Sequence, residues 1–269
     1  MTDVRFPIGV PDLDRLLGGG VTAGESILTL GEPGAGHRTF LYTAAMVHGA
    51  WQSEAEIFDL EYGDLAADLT KPDTVHYVSL TMSHDRFRHE LRHTLGDEWV
   101  EAGLDGIEFT SFADGYTSLA PLNGHDTDNY RAFFDRINDF FEREVGRDVV
   151  FFDSFSNLVP IVHKFASWED MWLVLDLRRI LNHREGTVTI THADVGALTE
   201  RGFGFTTSTV DAILRFSWES AGTQRYRVLT VEKFRELMSR AGDDIWRKFD
   251  ISIDPSGVGI HSIKKIPAR

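Results

Sequence analysis

The residues with the clearest chemical potential are consecutive: Gly31-Glu32-Pro33-Gly34-Ala35-Gly36-His37-Arg38-Thr39. Glycines at this spacing let a turn fold its backbone N–H groups inward around an anion, and a following helix adds the positive end of its dipole. The full phosphate-binding pattern is G-x-x-x-x-G-K-[ST]: the lysine reaches the outer phosphates and the hydroxyl holds magnesium. Gly31 and Gly36 have the required spacing. His37 stands in the lysine's place, Arg38 in the hydroxyl's, and Thr39 follows one position late. An imidazole can hydrogen-bond a phosphate, and a guanidinium fork suits one, but neither replaces the metal-binding hydroxyl. The competing reading is a structural bend that needs only its glycines.

Fewer residues elsewhere have the types or positions for chemistry. Asp153 ends the apolar run Asp148-Val149-Val150-Phe151-Phe152, and a carboxylate at a strand's C-terminal end can hold magnesium or cap a loop. His192 follows the run Val188 to Thr191 and by itself reads as a polar residue of an ordinary loop. His89 and His93 are four apart on a helical pattern, with His84 nearby, but no neighbouring residue completes a metal site. Lys233 and Arg235 alternate along a strand-like segment and would by themselves form a solvated face.

These residues need elements to position them. Apolar runs of strand length alternate with longer helical patterns, which suggests β-α-β units and a largely parallel sheet. Strands are expected at Ser26–Leu30, Val75–Leu80, Gly106–Phe109, Asp148–Phe152 and Thr187–Thr191. Helices are expected at Thr39 to Ala50, Asp85 to Leu95, Asn129 to Val145 and Ser167 to Asn182. Phe133, Phe134, Ile137, Phe140 and Phe141 repeat at helical spacing and mark a core face. The last third changes to strands at Ala212–Ser217, Arg225–Val231 and Phe249–Ile253, an antiparallel edge. Between Ser53 and Pro72, Glu54, Glu56, Asp59, Glu61, Asp64 and Asp68 read as a solvated acidic excursion.

Composition narrows the function classes. The chain has 269 residues, 42% of them hydrophobic, enough for one substantial core. The absence of cysteine excludes disulfides and thiolate chemistry. No run suits a membrane span, and the first residues lack the layout of a secretory signal, so the expectation is a cytoplasmic protein. With 27 basic and 42 acidic residues the formal charge is −15. Lysine is scarce, and such an acidic surface resembles that of proteins from a high-salt cytoplasm. It argues against nucleic acid, which requires a basic footprint.

A family resemblance connects the segments. The run Ile8-Gly9-Val10-Pro11-Asp12-Leu13-Asp14-Arg15-Leu16-Leu17-Gly18-Gly19-Gly20-Val21 resembles the lead-in of KaiC and related RecA-superfamily ATPases, and Gly24-Glu25-Ser26-Ile27-Leu28 follows as it does there. Val149 to Ser154 looks like the family's Walker B strand. Ser208 to Phe216 is similar to its late strand, and Leu229-Thr230-Val231-Glu232-Lys233-Phe234-Arg235 to its V-x-K-x-R segment. Together these cover nearly the whole length. The resemblance implies an α/β, RecA-like P-loop fold in a single domain, 1–269: a mostly parallel central sheet flanked by helices, with an antiparallel C-terminal edge. It also implies ATP or ADP at Gly31, Gly34, Ala35, Gly36, His37, Arg38 and Thr39, with Mg2+ at Asp153. Lys233 and Arg235 would reach a neighbouring subunit's nucleotide, in a homo-oligomer or beside a regulatory protein partner.

The departures fall where catalysis would occur. After its second strand the family carries a pair of glutamates that polarise water. This chain reads Tyr77-Val78-Ser79-Leu80-Thr81-Met82. Phosphoryl transfer needs neutralised phosphates, a held metal and an oriented nucleophile. With all three groups replaced, no residue is assigned a catalytic role. The leading expectation is a catalytically degenerate regulatory, signalling or scaffold protein. The rivals are a slow but genuine ATPase and a RecA-type DNA-recombination accessory.

Overall fold

The computed structural model describes residues 4–119, 127–143, 145–165, 167–235 and 247–265. Strands β1 (Arg5–Phe6) and β2 (Val21–Thr22) pair antiparallel around helix α1 (Pro11–Leu16). There follow β3 (Ser26–Gly31), α2 (His37–Ser53), α3 (Ala55–Tyr62), β4 (Val75–Ser79), α4 (His84–Thr94), α5 (Asp97–Leu104), β5 (Glu108–Ser111), α6 (Ala113–Ser118) and α7 (Thr127–Arg143). Next are β6 (Val149–Asp153), α8 (Phe155–Phe165), α9 (Trp168–Glu185), β7 (Val188–Asp194) and α10 (Glu200–Thr209). The described chain closes with β8 (Ala212–Ala221), β9 (Gln224–Phe234), β10 (Arg247–Asp254) and β11 (Gly257–Lys265).

Among the described residues the strands form a nine-stranded sheet in the order β11-β10-β9-β8-β3-β7-β6-β4-β5. From β8 to β5 all neighbours run parallel, and from β8 to β11 they alternate. The expected antiparallel edge is therefore present, longer than foreseen and with an additional strand, β11. Every residue of β4 and β6 is buried, as expected for central parallel strands covered on both faces. Successive side chains point to opposite faces. Tyr77, Val149 and Phe151 pack with Phe40, Leu41 and Phe87 on one side. Val78, Val150 and Phe152 pack with Phe133, Ile137 and Phe140 of α7 on the other.

Two differences from the expected elements have local causes. β5 begins at Glu108, not Gly106, because Gly106 lies against α2: a Cβ there would fall 1.9 Å from the Gly49 carbonyl oxygen. The acidic excursion is mostly helical. Its carboxylates are exposed as expected, but Phe58 and Tyr62 turn inward and continue a ring stack from Trp51, with centroids 3.8 Å and 4.2 Å apart. No described helix is long and apolar enough to cross a membrane.

Candidate functional site

The turn between β3 and α2 keeps its backbone shape. Gly34 (φ 74°) and Gly36 (φ 110°) occupy the left-handed region that side chains disfavour. Gly36 is the N-cap of α2 and offers no side chain to the first N–H groups of the helix, so those donors remain available to an anion. The turn is fixed from outside by the late strands. Trp218 Nε1 donates to the Pro33 carbonyl (3.1 Å), and Arg227 Nε donates to the Gly34 carbonyl (3.1 Å). The Arg225 and Arg227 guanidinium groups each lie 4.6 Å from the Trp218 ring.

The side chains that should meet the phosphates point elsewhere. His37 is buried, and its ring folds back over Gly31 so closely that a Cβ there would fall 1.8 Å from Nδ1. Its Nε2 lies 3.1 Å from Asp194 Oδ1, at the end of β7. Burial and the neighbouring His192 lower its pKa to about 4 against the opposing pull of Asp194, so the imidazole is neutral near pH 7. The His192 ring is 5.3 Å away, and its Nε2 lies 2.7 Å from Asp153 Oδ1. The Tyr77 hydroxyl donates to Asp153 Oδ2 at 3.0 Å. Burial pushes the Asp153 carboxyl up. The hydrogen bond and charge of His192, the Arg38 charge and the Tyr77 hydroxyl outweigh that and hold it below its usual range.

This arrangement does not fit a magnesium ion. Both Asp153 oxygens have protein partners, and the neighbouring charge is the cation of Arg38 in place of a ligand hydroxyl. Beyond Arg38 a cavity of about 230 Å³ is lined by Arg38, Thr81, Met82, Arg86 and Glu90. Thr81 and Met82 bring no carboxylate to it. Glu90 does, from α4, although Arg86 already pairs with it at 3.4 Å.

No protein-family model matches the chain, and no curated protein matches it in sequence. Solved structures do match it in shape. A KaiC-like protein of the hyperthermophilic archaeon Pyrococcus horikoshii superposes with a TM-score of 0.62 at 16% identity, covering 97% of this chain and 100% of that one. The flagellar accessory protein FlaH of Methanocaldococcus jannaschii gives 0.61 at 15%, covering 97% and 99%. The fold is RecA-like.

On this RecA-like sheet the remaining candidates are separated. Lys233 donates to the carbonyls of Thr207 (2.9 Å) and Val210, at the C-terminal end of α10. Arg235 lies 3.5 Å from Asp211. Both are therefore engaged within the chain, away from its own loop. His89 and His93 touch ring to ring, with centroids 4.1 Å apart, but the described residues contain no group of three or more metal-capable side chains. Asp194, Tyr77, Trp218 and Arg227 were missed by sequence reasoning. Asp194 had a faint signal, since it lies two residues past His192 on the same strand. Trp218 and Arg227 had none, because only the pairing of β8 with β3, and of β9 with β8, brings them to the loop.

Proposed function

We propose that this chain is a RecA-like protein that has given up ATP hydrolysis and acts through protein contacts, as a regulatory or scaffold component. The observation that carries the reading is the polar network at the loop, in which the candidate ligands are bound to protein groups. His37 meets Asp194, and Asp153 is shared by His192 and Tyr77, so the groups that would serve phosphate and metal satisfy one another. Each replaced group keeps a partner in this network through one atom, although the second ring nitrogens of His37 and His192 are buried without one, which costs about 1–3 kcal/mol each. FlaH, which shares the fold, is named as an accessory protein, a role of the kind proposed here. The acidic surface supports work in high salt and argues against DNA as partner.

Calorimetry in molar KCl, with ATP and ADP and with or without magnesium, tests the reading. Weak or undetectable binding with no dependence on magnesium is expected. Tight magnesium-dependent binding would overturn it.

One observation favours a second reading, a slow ATPase: the loop retains its left-handed glycines and outward carbonyls, and Glu90 faces the cavity beyond Arg38. In that case Glu90→Gln should abolish a measurable turnover. Under the first reading there is no turnover to lose.

A further inference from the structure

The surface of α9 differs from the rest of the molecule. Of the seven large apolar side chains exposed among the described residues, five lie on this helix: Trp172 (38%), Leu173 (61%), Val174 (44%), Leu177 (56%) and Ile180 (54%). Trp168 and Met171 anchor its other side to the core, so the helix is apolar on two faces where a surface helix needs one. A cavity of about 200 Å³ opens beside it, with Val174 and Leu177 in its wall against Phe134 and Ile137 of α7. An apolar patch of this kind on a soluble surface marks a contact site.

Charge identifies the occupant. The chain carries −15, and copies of it repel one another over most of their surface. On α9, however, Glu169, Asp170, Asp176 and Glu185 are nearly balanced by Arg178, Arg179 and Arg184. These charges are also sorted, with Glu169 and Asp170 in the first turn and His183 and Arg184 in the last. A helix that is acidic at one end and basic at the other, with an apolar stripe between, complements itself when reversed. We infer that a second copy of this chain covers the face, with its α9 antiparallel about a twofold axis near Leu177. In that pairing Leu173 of one copy lies beside Ile180 of the other, and Glu169 lies opposite Arg184, while Asp170 stays in its capping box with Ser167 and His183 beside Asp211. This is an isologous contact, which closes at two subunits. Within one chain Glu169 already meets Arg201, and Arg184 meets Glu185; both are exposed pairs that rearrange at little cost. The helix has 18 residues, a length of about 27 Å, which suits a small, concentration-dependent interface.

The surface is remote from the loop, so its test is independent of nucleotide binding. Sedimentation of the full chain should show a monomer–dimer equilibrium that persists in molar KCl, because apolar contact survives screening that removes ion pairs. Leu177→Glu places two like charges at the axis and should weaken the dimer roughly a hundredfold or more. Leu177 is exposed, so at concentrations where both proteins are monomeric the thermal unfolding of that variant should match the parent's. Glu169→Arg and Arg184→Glu should each weaken association roughly threefold to tenfold, and the double variant, with its ends exchanged, should restore it. A chain monomeric at every concentration would overturn the inference. So would a ring of more than two subunits, an oligomer indifferent to Leu177→Glu, or a double variant no tighter than either single one.

Discussion

At the residue scale the loop's chemistry depends on two replacements, and they can be reversed. Changing His37→Lys together with Arg38→Thr supplies the missing ammonium and hydroxyl and frees Asp153 of the Arg38 charge. Magnesium-dependent nucleotide affinity should rise at least tenfold, measured by calorimetry; an unchanged affinity would mean that the turn no longer accepts phosphate. His37→Ala alone should change nucleotide affinity little. Asp153→Ala leaves His192 and Tyr77 buried without their acceptor and should cost about 3 kcal/mol of unfolding free energy in urea titrations. Protonation has a definite sign. His37 and His48, the latter buried with its Nε2 2.9 Å from the Pro7 carbonyl, both have pKa values lowered by burial to about 4. The unfolded chain therefore takes up these two protons first, and their contribution to stability, full above about pH 6.5, declines as pH falls to about 4. Each accounts for about 3 kcal/mol across that window. Asp14 opposes them. Burial raises its pKa to about 6, so the native state binds its proton first, and its contribution grows as pH falls from about 6 toward its ordinary value. Two groups outweigh one, so the urea midpoint should fall between pH 6.5 and 4. His48→Asn should flatten that slope.

At the element scale the sequence was most readable where burial imposes a period. The strands ending at the loop and at Asp153 and the phenylalanine stripe of α7 all follow from apolar patterning, and each lies close to where that pattern put it. The elements that escaped notice had weaker signals. α8 carries Pro160 in its interior, a residue that ordinarily argues against a helix. The excursion now containing α3 reads as acid, because its buried contribution is limited to Phe58 and Tyr62. The site was readable as a loop but not as a network: His37, Asp194, His192 and Asp153 come from three elements, and only the order of β3, β7 and β6 in the sheet joins them. One element-scale prediction follows from the outer clasp. Trp218→Ala removes the donor to Pro33 and the ring beside Arg225 and Arg227. It should cost about 2–3 kcal/mol and raise hydrogen exchange in residues 32–36 while leaving α7 unchanged.

For the whole molecule the dominant quantity is charge. A net −15 on 269 residues repels itself within the compact state, and salt screens that repulsion. The unfolding temperature should therefore rise steadily from low to molar KCl, and a flat response would remove the reading of a salt-adapted surface. The clasp on the loop also has a consequence in time. The Pro33 and Gly34 carbonyls are held by side chains 185 and 193 residues later in the chain. A ribosome delivers the glycine turn long before it delivers Trp218 and Arg227, so the turn emerges unsupported and takes its final form only when the antiparallel edge closes. A nascent chain stalled before β8 should be cut readily by protease near Glu32. The same chain released past β9 should resist.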